Sequence, residues 1–209
     1  HVSTKPRKVL AICPGCNQEK EYLLGGIRNS SKRSCTSCAT HRKLPIKSDS
    51  FTAVNEKSLY WAGFLAADGN VFRGTVCVGL HSKDDSHVLK FRNFLDSRHK
   101  VTRTPSKSSI KFSDKQIVED LRKFGIVDNK SLIYEVPEFC VLNRDFWRGM
   151  IDGDGSISLK DKKHATLAIV GTFSVVDGFL KFAKQFCDTK ANPRHISKSN
   201  KNTYSTSLS

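Results

Sequence analysis

The chain has 209 residues, 38% hydrophobic and 26% charged, and its 35 Lys and Arg outnumber 20 Asp and Glu to give a net charge of +15. This is enough for one sizeable domain, or one plus a small module, and the composition excludes a disordered or fibrous chain. No apolar run approaches the roughly 18–20 residues of a membrane span, and the charge excess calls for a polyanionic partner, either nucleic acid or an acidic membrane surface.

Residues 1–45 form a small module rich in Lys, Arg and Ser, with two CxxC pairs, Cys13 with Cys16 and Cys35 with Cys38. Tetrahedral Zn²⁺ takes four thiolates, and two such turns supply them, so a zinc-binding module is expected, its folding energy coming from the metal, with a disulfide pair or redox motif as the disfavoured alternative. Lys5, Arg7, Lys8, Arg28, Lys32, Arg33, Arg42 and Lys43 around it suggest extra contact with the polyanionic partner. The other three cysteines, Cys77, Cys140 and Cys187, sit in apolar surroundings and read as buried thiols. Their odd total, with no secretory h-region in HVSTKPRKVLAICPGC, points to a reducing, intracellular setting.

Residues 46–57 read as a linker into a helix, followed by a first half at 58–137 and a second at 138–209. Lys57–Asp68 has helical periodicity, and Gly69 is placed to end that helix in the left-handed conformation. VFRGTVCVGLHS reads as a β-hairpin turning near Arg73 and Gly74, with Val76, Val78 and Leu80 on one face. A helix over Asp84–Ser97, strands at Lys100–Thr104 and Ser109–Ser113, and a helix over Asp114–Gly125 complete the first half. The second repeats the order: a helix near Leu142–Asp154, strands at 156–160 and 166–173, a helix over Val175–Cys187, then strands in NPRHIS and TYSTSLS. The pattern is αββαββα twice, the second copy truncated at residue 209, in an α+β fold.

The halves share a segment. YWAGFLAADGNV (60–71) and FWRGMIDGDGSI (146–157) align without a gap, which places Asp68 and Asp154 at matching positions. Gly costs roughly 1 kcal/mol in a helix interior, so its recurrence needs a reason. Gly63 and Ala67 in one copy, and Gly149 and Gly153 in the other, are spaced four apart and leave a flat face on which two helix backbones can meet. Packing along those faces brings Asp68 and Asp154 together at the unfavourable end of two helix dipoles, where a hard divalent cation is the natural compensation. Two metals held by carboxylates stabilise both the attacking and the leaving oxygen of a phosphodiester displacement.

WAGFLAADG (61–69) and WRGMIDGDG (147–155) resemble the nine-residue signature of LAGLIDADG homing endonucleases. The resemblance implies a saddle of two pseudo-symmetric units, with two four-stranded sheets in successive major grooves of double-stranded DNA. It also implies an endonuclease that hydrolyses one phosphodiester per strand at a long site, leaves short 3′ overhangs and uses Mg²⁺ or Mn²⁺. The acid at the eighth signature position carries over to Asp68 and Asp154 as metal ligands, with the carbonyls of Ala67 and Gly153 as further candidates. The sixth position, Asp in many members, is Ala66 in one copy and Asp152 in the other. FGIVDNKS (124–131) resembles the stretch that carries the family's catalytic lysine and nominates Lys130. By strand alternation, Arg73, Thr75, His81, Lys111, Ser156, Ser158 and Lys160 face DNA. Lys83 is added as a DNA contact, and Lys83 and His87 as groups that position solvent or backbone. A monomeric, intron-encoded enzyme is the expectation. The alternative is a non-catalytic binder of the same fold, acting on intron RNA or as a DNA-binding regulator. An intein is disfavoured for want of splicing residues.

Overall fold

The computed structural model describes residues 8–13, 18–23, 44–160, 164–196 and 202–208. The chain divides into two units, His1–Leu44 and Pro45–Ser209. In the first, strands β1 (Lys8–Ile12) and β2 (Glu19–Leu23) pair antiparallel, Lys8 opposite Leu23. The backbone N–H of buried Cys13 donates to Gln18 O at 2.9 Å and closes this hairpin. Cys16, Cys35 and Cys38 lie outside the described residues, as do the nominated basic residues of this unit other than Lys8.

The second unit opens on helix α1 (Glu56–Ala67). Asn55 Oδ1 accepts from the N–H groups of Lys57 and Ser58, and Ser58 Oγ accepts from the Asn55 N–H at 2.9 Å, a reciprocal box that satisfies orphan donors of the first turn. There follow β3 (Gly69–Phe72), β4 (Thr75–His81), α2 (Asp85–Phe94), β5 (Thr102–Arg103), β6 (Lys107–Phe112) and α3 (Lys115–Lys123). A 3-10 turn at Lys130–Leu132 and the single turn α4 (Glu138–Val141) lead to α5 (Arg144–Asp154), capped by Asn143. The last elements are β7 (Ser156–Lys160), β8 (His164–Gly171), α6 (Phe173–Ala183), β9 (Arg194–His195) and β10 (Tyr204–Leu208).

The two antiparallel sheets have the same strand order, β3-β4-β6-β5 and β7-β8-β10-β9. This internal symmetry repeats the segment alignment in three dimensions. Val71, Val76, Val78, Ile110 and Phe112 turn inward from the first sheet, and α1 is buried over most of its circumference. A helix buried on most sides suits a central position. Trp61 and Trp147 occupy matching places: Trp61 lies 5.0 Å from Phe91, Trp147 lies 5.6 Å from Phe179, and each contact joins a central helix to an outer one.

Several expectations need correction. Gly69 does not end α1 in the left-handed region; it begins β3, and a Cβ there would meet Leu65 Cδ2 at 2.5 Å and Leu65 O at 2.7 Å. Glycine is needed for close approach, not for dihedral freedom. The stretch read as a linker is anchored: Phe51 is buried edge-on to Phe94 at 5.3 Å, and Thr52 donates to Asp120 at 2.7 Å. Of the three cysteines read as buried, Cys140 is, Cys77 is half-buried and Cys187 is exposed just past the end of α6. Ile157 and Leu159 on β7 are 70% and 71% exposed, whereas Val71, the counterpart of Ile157, is 1% exposed. No helix among the described residues is long and apolar enough to cross a membrane.

Candidate active site

Helices α1 and α5 meet backbone to backbone. A Cβ on Gly63 would run into Phe146 O, and one on Gly149 into Tyr60 O. At the C-terminal end the crossing stays tight, since a Cβ on Gly153 would lie 2.5 Å from Ala67 Cβ and 3.5 Å from the Asp68 nitrogen. The small residues are thus what lets the two helix ends, and the carboxylates on them, converge.

Asp68 caps α1 and Asp154 is the last residue of α5. Burial pushes the Asp68 carboxyl above the usual carboxylate range, and the Asp154 charge pushes it further, with partial relief from Lys130. Burial likewise raises Asp154, and Lys130 again pulls the other way. Lys130 is only 6% exposed, and its Nζ donates to Ala66 O at 2.6 Å and to Ala67 O at 3.2 Å. Burial lowers its pKa while Asp154 and Asp68 oppose that shift. Two exposed carboxylates and one buried ammonium are held together at one helix junction, a pattern typical of functional sites.

Two cavities flank the helix pair. One, of about 380 Å³, is lined by Phe64, Asp68, Asp84, His87, Asp152 and Gly153. The other, of about 80 Å³, is lined by Met150, Asp154, Val175, Ala66, Ala67 and Lys130. They are related by the repeat: Phe64 matches Met150, Asp68 matches Asp154, Asp152 matches Ala66 and Gly153 matches Ala67. Among the described residues no three His, Cys, Asp or Glu side chains form a metal cage. An ion at these two acids would therefore complete its shell with carbonyls, water and substrate oxygens, which is how Mg²⁺ is commonly held.

No protein-family model matches the chain, and no curated protein matches it. Among solved structures, a point mutant of I-SmaMI is 11% identical with a TM-score of 0.50, over 74% of this chain and 79% of that one. The meganuclease I-SmaMI bound to uncleavable DNA is 10% identical with a TM-score of 0.50, over 72% and 78%. The I-LtrWI LAGLIDADG homing endonuclease bound to target DNA is 15% identical with a TM-score of 0.49, over 74% and 79%. The fold resembles that of LAGLIDADG homing endonucleases.

With α1 and α5 as the signature helices of a LAGLIDADG-like fold, each sheet has a face turned away from them. Thr75, His81 and Lys111 lie on that face of the first sheet, Lys111 opposite Cys77. Thr75 Oγ1 is 2.9 Å from Ser113 Oγ, and His81 Nδ1 accepts from the Lys83 N–H, so neither side chain is wholly uncommitted. Lys83 is exposed in the 3-10 turn after β4. Arg73 is not a strand residue: it occupies the hairpin turn at φ +48°, and its guanidinium stacks on Phe72 at 5.0 Å. Ser156 and Ser158 are exposed on β7, opposite Ala168 and Thr166, while Lys160 is described in its backbone only.

Sequence reading missed several neighbours. Lys107 pairs with His81 in register and lays its side chain across Gly79, where any Cβ would collide with it. Arg194 pairs with Ser205 beside a depression also lined by Lys190, Asn192 and Ser207. Arg194 lies on a two-residue strand, too short to show alternation, and Lys107 precedes Ser109, where the sequence reading began its strand. The third omission, a chain from Asp152 through Tyr60 to His87, joins three helices and leaves no local signature.

Proposed function

We propose that this protein is a site-specific double-strand DNA endonuclease that hydrolyses one phosphodiester in each strand. The observation that carries this reading is the meeting of Asp68 and Asp154 at abutting helix ends beside the buried amine of Lys130. The donor set of two carboxylates at the surface and the carbonyls of Ala67 and Gly153 is all hard oxygen and suits Mg²⁺ or Mn²⁺. When bound, such an ion supplies Lewis-acid polarisation of the phosphate and lowers the pKa of coordinated water. Lys130 uses two of its three donors on Ala66 O and Ala67 O, which fixes its position and leaves one for a phosphate oxygen or water. The open sheet faces, with Lys107, Lys111 and Arg194, and the charge of +15 hold the duplex across a saddle formed by the two halves. Both acids come from one chain, so a monomer suffices.

The expected result is that, with Mg²⁺, the protein linearises a discrete subset of plasmids drawn from a library of randomised inserts, and that chelator stops it. Binding to DNA with no plasmid cut under any divalent ion would favour a non-catalytic binder of the same fold.

The cysteines Cys13, Cys16, Cys35 and Cys38 hold one Zn²⁺ in this reading. The burial of Cys13 at a hairpin closed by its own N–H supports a low-solvent setting for that one thiolate. Elemental analysis of purified protein is expected to give one zinc per chain, falling when Cys13 is changed to Ser. A preparation without zinc that retains the first unit's fold contradicts it.

A further inference from the structure

The two halves place different groups beside their acids. Lys130 lines the cavity at Asp154, and His87 lines the cavity at Asp68. His87 is the third residue of α2, and the matching third residue of α6 gives Val175 to the other cavity. Aromatic rings box His87 in: Phe64 at 4.6 Å, Trp61 at 5.0 Å and Tyr60 at 6.1 Å.

The Tyr60 hydroxyl donates its one proton to Asp152 Oδ2 at 2.6 Å. Its oxygen lies 3.2 Å from His87 Nε2, so that nitrogen must carry the hydrogen between them. The tautomer is thereby fixed, and Nδ1 is the bare nitrogen, without a hydrogen-bond partner among the described residues. Each member of the chain comes from a different helix: Tyr60 from α1, His87 from α2 and Asp152 from α5. Asp152 is also the position at which the two signature segments differ, its counterpart being Ala66. The asymmetry is therefore written in the repeat itself.

The geometry points to His87 as the general base for the strand cut on the Asp68 side, a role that rests on the nuclease reading and makes the two cuts chemically unequal. A water oxygen bonds to phosphorus and its proton passes to His87 Nδ1. The P–O3′ bond breaks, and the 3′ oxygen takes a proton from solvent. Asp152, acting through Tyr60, orients the ring and favours the imidazolium as it forms, as a carboxylate does behind a catalytic histidine. Burial lowers the His87 pKa, as does Lys90, while Asp152 and Asp84 raise it, so the burial effect keeps the ring neutral and ready to accept a proton near pH 7.

The test is strand-resolved cleavage of a plasmid selected from the randomised library for cutting by the wild-type protein. His87→Gln keeps an N–H donor for Tyr60 but has no basic nitrogen. It is expected to slow one strand by about 100-fold, leave the other within about twofold and accumulate nicked circles, with DNA affinity unchanged. Tyr60→Phe keeps the ring packing and slows the same strand by about 10-fold. Equal slowing of both strands, or no slowing, by either folded variant overturns the assignment. If the wild-type protein cuts no plasmid, the nuclease reading fails first, which is a different result from a wild-type enzyme indifferent to His87.

Discussion

Gly63→Ala and Gly149→Ala each lower the melting temperature and abolish DNA cleavage. In an ordinary helix the same change stabilises by roughly 1 kcal/mol, so even the sign is diagnostic. Here the new methyl group would enter the space of a backbone carbonyl, Phe146 O for Gly63 and Tyr60 O for Gly149. A flexible side chain could swing away from it, but a carbonyl within a helix cannot move without carrying the helix with it. Overpacking of this kind costs about 1–3 kcal/mol and sometimes more. At about 2–4 °C per kcal/mol for a chain of this size, the expected loss is roughly 2–12 °C. Thermal melting followed by circular dichroism reads it directly. The functional loss has the same origin, because Asp68 and Asp154 stand at the ends of the helices that would be forced apart. A raised or unchanged melting temperature would mean that α1 and α5 do not touch along these glycines.

Asp68→Asn and Asp154→Asn are expected to abolish cleavage, preserve DNA binding and, in chelator, raise the melting temperature. Both carboxyls have folded-state pKa values above the usual carboxylate range, so the fold favours their protonated forms. Such groups destabilise once ionised. Their contribution to stability is highest at low pH and declines as pH rises from the ordinary carboxylate pKa through the raised one. Melting of the wild-type protein in chelator therefore improves, from these two groups, as pH falls through that window. The Asn variants lose this dependence and start from the higher value. A drop in stability for either variant would show that the acids serve folding and not a site maintained at its expense.

The parts of this molecule that sequence made legible share a physical character: strong local periodicity or an exact internal repeat. The α1 and α5 pair, the β3–β4 hairpin and the convergence of Asp68 with Asp154 follow from Gly and Ala spacing and strand alternation. What stayed hidden depends on contacts far apart in the chain. Phe51 looks like linker sequence until Phe94 and Phe124 surround it. Gly69 looks like a helix terminator, and only the position of Leu65 reveals why no side chain fits. Lys130 was nominated by resemblance to a known segment, but the hydrogen bonds that bury its amine against Ala66 and Ala67 span more than sixty residues of chain. His87, Tyr60 and Asp152 come from three helices, so no sequence window contains their relation.

The most direct test of a shared metal site is anomalous diffraction from crystals of the protein bound to cleavable DNA and soaked in Mn²⁺. The expected map has manganese within coordinating distance of both Asp68 and Asp154, lost in the double Asn variant. Manganese bound elsewhere on a protein that still cuts DNA, with both carboxylates bare, would contradict it.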